Sequence, residues 1–117
     1  MELEWHKHAA GHWYLLGEMD LNALANRYGV FIVWRDGDAA KMSAVLYVGR
    51  GGLRAELAEC RRSPLFSSSR LRVTWAEIER PDELDGIATY LYRHLRPMWG
   101  EIMSSAVPVP VNLPLTA

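Results

Sequence analysis

One cysteine, Cys60, stands among 117 residues, so no internal disulfide is available and a reducing compartment suits the chain. No charge of one sign dominates: 13 Lys and Arg against 14 Asp and Glu leave a formal net charge of −1. A dedicated, tight, non-specific nucleic-acid binder ordinarily carries a clear positive excess, which disfavours that class but leaves room for a local basic face. Long hydrophobic runs are missing too, and no apolar stretch approaches the roughly 20 residues needed to span a membrane. The start, MELEWHKHAAGH, lacks the basic-then-apolar layout of a signal peptide. A soluble, cytoplasmic protein without a membrane partner is the expectation.

What is present is apolar and aromatic. Half the residues are hydrophobic, with five Trp and five Tyr, enough for a single domain to bury a real core. Asp20 is placed to cap a short helix, LNALANR, whose Leu21, Leu24 and Ala25 share a face. VFIVW (Val30 to Trp34) reads as a strand, Asp36-Gly37 as a turn signal, and AVLYV (Ala44 to Val48) as a second, antiparallel strand. Leu53, Leu57 and Cys60 fall on one side of a helix over Leu53 to Arg62. LRVTWAEIE (Leu71 to Glu79) supplies a third strand. Pro81 opens a longer helix, Asp82 to Arg96, with acids near its start and Arg93, His94 and Arg96 near its end. The Pro-alternating tail AVPVPVNLPL is excluded from the middle of a sheet and reads as a strap. The expected fold is a small α/β (α+β) domain with a three-stranded, mainly antiparallel sheet flanked by helices. Its parts are an arm with a short helix (1–28), a core (29–97) and a strap (98–117).

That element order, with Gly29-Val30-Phe31 opening the first strand and Tyr47-Val48-Gly49 closing the second, resembles the GIY-YIG nuclease family. The segment GIATYLYRHLRP is similar to the family's later helix, and Asn112 stands where members carry an asparagine after it. The resemblance implies two neighbouring tyrosines, an arginine on the helix after the second motif, and a glutamate on the later helix holding one divalent cation against the phosphate. Such a layout meets charge that builds on phosphate oxygens with a guanidinium and a metal. This chain departs from it. Phe31 replaces the first tyrosine, Glu56 stands at the arginine position, and Ala88 at the glutamate position, nine residues before Pro97. Only Tyr47 keeps its polar atom, and the resemblance therefore implies a fold retained after its chemistry was lost.

Three readings stay open. The first is a catalytically impaired domain that binds nucleic acid or a protein partner through the stretch from Arg50 to Arg72. That stretch holds Arg50, Arg54, Arg61, Arg62, Arg70 and Arg72 against Glu56 and Glu59, six minus two, a local net of +4. Their bland reading is a solvated helix end and loop. The second is an active endonuclease using Tyr47, Arg50 or Arg54, with Asp85 relocated as ligand to Mg²⁺ or Mn²⁺. Against it, Leu84, Ile87, Ala88, Leu91 and Leu95 form an unbroken apolar stripe, and Asp85 complements a helix start. The third is a protein-interaction module. No cofactor is expected unless the nuclease is active. Tyr47 has a plain role as a buried ring with a hydrogen-bonded hydroxyl, and GRGG a plain role as a tight turn rather than an anion nest. His6, His8 and His12 offer three imidazoles to a transition metal, but surface histidines in an arm are the simpler reading. Trp5, Trp13, Tyr14 and Trp34 read as packing rather than a base-stacking platform, and Cys60 as a small residue on a helix face.

Overall fold

The computed structural model describes residues 1–8, 11–35, 45–64, 71–99 and 106–114. Strands β1 (Tyr14–Leu15), β2 (Tyr28–Arg35), β3 (Val45–Gly52) and β4 (Leu71–Glu77) form one antiparallel sheet in the order β1-β4-β2-β3. Helix α1 (Leu53–Arg62) follows β3 directly, and α2 (Leu84–Leu95) follows a 3-10 turn at Pro81–Glu83. The α+β class read from the sequence is the one observed, with one strand more than expected. The extra strand is only two residues long, too short for a period to show, and it comes from the arm.

β2 is the central strand, and its residues from Gly29 to Trp34 are all buried. A strand covered on both faces needs no polar alternation, which is why VFIVW reads as a continuous apolar run. Its side chains still divide by the two-residue period. Phe31 and Val33 join Leu46, Leu53, Leu57, Cys60, Val73 and Trp75 in a core under α1. Val30, Ile32 and Trp34 join Val45, Val48, Ile87, Ala88 and Leu91 in a second core under α2. A bulge between Val33 and Trp34 shifts the β2–β3 register and turns both Leu46 and Tyr47 towards the α1 side.

Three boundaries differ from the sequence reading. β3 runs on through Gly49-Arg50-Gly51-Gly52, because these residues pair with Tyr28 to Phe31 of β2; the glycines are strand, not the tight turn read from the sequence. LNALANR forms only one 3-10 turn, Leu21–Leu24, capped by the Asp20 carboxylate accepting from Asn22 N. α2 begins at Leu84 and ends at Leu95, with Arg96 left-handed at φ 49° before Pro97. The Asp36-Gly37 turn signal lies outside the described residues.

The two ends of the chain lie on the domain. His6 N donates to Trp75 O (3.0 Å) and Thr74 Oγ1 to His6 O (2.8 Å), tying the arm to β4. The tail crosses α2 at Gly86, where Val109 N donates to the Gly86 carbonyl (3.0 Å). A Cβ at Gly86 would lie 2.6 Å from Val107 O and 2.7 Å from Val109 Cγ2, so only glycine admits this crossing. No helix among the described residues is long and apolar enough to cross a membrane.

Candidate functional site

Phe31 and Tyr47 lie on adjacent strands, where register pairs Phe31 with Gly49 and Val33 with Tyr47. Residues directly opposite share a face, so both rings point towards α1. Their centroids are 5.8 Å apart at a tilt of 42°. Gly49 makes this possible: a Cβ there would lie 2.3 Å from Phe31 Cζ and 2.7 Å from Tyr47 Cε2. The glycine of the second motif thus has a packing reason independent of catalysis. Phe31 is fully buried, and Tyr47 is half-buried on the rim of the same core.

The edge of β3 beside Tyr47 is covered by the chain leaving α2. Met98 N donates to Val45 O (3.1 Å) and Trp99 N to Leu46 O (2.9 Å), while Trp99 forms a parallel bridge with Tyr47 and packs on the α1-side core. Sequence reasoning placed Trp99 in the strap and gave it no role. Its signal is faint, because a one-residue bridge has no period.

Arg50 sits opposite Val30, a residue of the α2-side core, and therefore points away from Tyr47. It forms an ion pair with Asp85 in the first turn of α2. Asp85 is thus engaged by a guanidinium, on the far side of the sheet from the Tyr47 ring. Ala88 is buried in that same α2-side core, as its apolar stripe implies. A longer acidic side chain at this position would enter packed core rather than meet Tyr47.

Arg54 lies on the solvent side of α1, opposite Leu53 and Leu57. With Asn22, Glu56, Ala58, Glu59 and Arg62 it lines a shallow depression of about 610 Å³ between α1 and the 3-10 turn. Glu56 is half-buried there, its Cγ 3.5 Å from where a Cβ on Gly51 would lie; Gly51 itself has φ +119°. A carboxylate therefore occupies the place beside the end of β3 where the resemblance implies a guanidinium.

The remaining arginines are largely taken up by the fold. Arg61 Nε and Nη2 donate to Leu16 O (3.0 and 2.6 Å), and Nη2 also donates to Met19 O (2.7 Å). Arg62 pairs with Glu59 one turn back. Arg72 Nη1 donates to Trp13 O (2.7 Å). Arg70 lies outside the described residues. The fork of Arg61 caps two carbonyls of the arm, which sequence reasoning missed: no local pattern tells which loop carbonyls will need a donor.

The three arm histidines separate. His6 stacks on Trp75 (5.1 Å between centroids, 9°) with Nε2 3.5 Å from Glu77, whereas His8 and His12 stack on one another at 4.4 Å. Among the described residues no group of three or more metal-ligating side chains is gathered. The aromatic residues are packed: Trp5 lies on the α2-side core, Trp13 meets Trp34 edge-on at 5.5 Å, and Tyr14 tilts against Trp75 at 4.9 Å. Cys60 is buried, and burial, with Glu56 and Glu59 nearby, pushes its thiol up to about 12. Such a thiol stays protonated and inert at neutral pH. Asn112 binds the arm through its side-chain amide, donating to Leu3 O at 3.0 Å and accepting from Leu3 N at 2.5 Å.

Comparison with protein-family models, with curated proteins and with solved structures finds no match.

Proposed function

We propose that this chain is a binding domain without phosphodiesterase activity, on a scaffold resembling that of GIY-YIG nucleases, and that the outer face of α1 receives a protein partner. The observation that carries the reading is the separation of the residues a working nuclease would need. Tyr47 faces α1, while Arg50 and Asp85 neutralise one another on the α2 side. A metal site assembled from Asp85 would have to break that pair and would still face away from the only remaining tyrosine hydroxyl of the two motifs. With Glu56 beside the end of β3, a phosphate approaching Tyr47 would meet a carboxylate where the resemblance implies a guanidinium, which raises rather than lowers the barrier.

The partner class follows from the charges on the depression. Among the described residues Arg54 and Arg62 are matched by Glu56 and Glu59, two against two, with Ala55 and Ala58 between them on α1. A balanced charge lacks the cation surplus that a phosphate backbone needs to release counterions, which leaves a protein surface as the favoured partner. A second reading, nucleic-acid binding, has Arg54 and Asn22 in its favour, since both present donors on this face. Fluorescence anisotropy with duplex, branched and single-stranded DNA and RNA at low salt separates the two. The protein-partner reading predicts binding no tighter than the weak, roughly 10⁻⁴ M end of the non-specific range. Tight binding that weakens with salt and is lost in Arg54→Glu would establish the nucleic-acid reading instead.

A further inference from the structure

We propose that Asn112 is a latch joining residues 1–8 of the arm and 106–114 of the strap into one unit that opens and closes as a whole. Asn112 Oδ1 accepts from Leu3 N at 2.5 Å and Asn112 Nδ2 donates to Leu3 O at 3.0 Å. A side-chain amide presents N–H donors and a carbonyl acceptor side by side in a planar group, so it imitates the peptide of a neighbouring strand. Trp5 Nε1 adds a third bond, to the Asn112 backbone carbonyl at 2.9 Å. The bonds link positions about a hundred residues apart in sequence, and they sit between two anchors. On the arm side His6 is tied to β4 through Trp75 O and Thr74 Oγ1; on the strap side Val109 is tied to the Gly86 carbonyl of α2.

What the latch closes is apolar. Leu3 and Trp5 from the arm and Val109 and Leu113 from the strap pack on the same α2-side core, and Val111 is buried within it. Neither segment forms a helix or a strand of its own in these stretches, so each lacks the internal bonds that would hold it in place alone. Beyond its anchor to the domain, each is held to the other across Asn112. Aspartate at 112 keeps an acceptor for Leu3 N but sets a second oxygen against Leu3 O. Alanine removes both contacts.

Hydrogen exchange of the full chain tests the latch, residue by residue for Leu3 and Val109 and by segment for the arm and strap. Losing both side-chain hydrogen bonds of Asn112 predicts about tenfold or greater acceleration in Asn112→Ala, in residues 1–8 and 106–114 together. The amides of β2 stay as protected as in the wild type, and Asn112→Asp gives a smaller rise in the same two segments. Coupling is reciprocal, so Leu3→Pro, which removes the arm's donor, also accelerates the Val109 amide. This arm-side variant decides the matter if Asn112→Ala fails to fold. Acceleration confined to the mutated segment in these variants, with the other unchanged, overturns the proposal.

Discussion

Gly49 and Cys60 show what single positions contribute. At Gly49 the Phe31 and Tyr47 rings occupy the space of a side chain, so Gly49→Ala forces the buried Phe31 ring and the half-buried Tyr47 ring apart. Overpacking of this kind predicts a loss of about 1–3 kcal/mol in urea unfolding with an unchanged m value. The residue was legible as part of a motif, but not as a packing requirement, because ring positions depend on a register that a single sequence does not fix. Cys60 was legible as a helix-face residue. Its folded-state pKa, about 12, lies above the ordinary value of 9.0. The folded state therefore holds the proton more tightly, and the stabilisation is fully present below pH 9 and fades as pH rises towards 12. Wild type should lose about 1.4 kcal/mol between pH 8 and pH 10 relative to Cys60→Ala. Equal losses in the two proteins would show that the thiol ionises as freely in the fold as outside it.

At the scale of elements, Arg61 is where charge serves architecture. Its three donations to Leu16 and Met19 carbonyls fasten the segment before the 3-10 turn to the last turn of α1. Arg61→Ala leaves those carbonyls without these donors and predicts a loss of about 2–3 kcal/mol in thermal or urea unfolding. Arg61→Lys should recover less than half of it, since an ammonium cannot reproduce the planar fork. The sequence reading took Arg61 as a phosphate contact or a helix-end charge, and neither describes this tether. β2, α1, β4 and most of α2 were legible, because long apolar periods and Pro81 mark them. β1 was not, since its two residues borrow their strand character from β4, and β3's last four residues were hidden because glycine and arginine have little intrinsic strand preference.

Across the whole molecule, the arginine-rich stretch illustrates how a linear charge count misleads. A local surplus of +4 in sequence becomes a set of separate engagements in space: Arg50 with Asp85, Arg62 with Glu59, and Arg61 and Arg72 with backbone carbonyls. Partners drawn from α2 and the arm are invisible in the stretch alone. The sheet likewise separates residues that chain order made neighbours: Tyr47 and Arg50 are three apart and lie on opposite faces. The sequence showed which polar groups the two motifs lack; it could not show that the substitutes proposed for them point elsewhere.

The proposal that this domain is a binding module predicts an absence of phosphodiester chemistry. The most direct measurement is the nicking of supercoiled plasmid and the cleavage of branched DNA and structured RNA by purified protein in Mg²⁺ and in Mn²⁺, with Tyr47→Phe alongside. The account predicts that wild type and Tyr47→Phe are both indistinguishable from buffer in either metal. Metal-dependent cleavage by the wild type that Tyr47→Phe abolishes would contradict it.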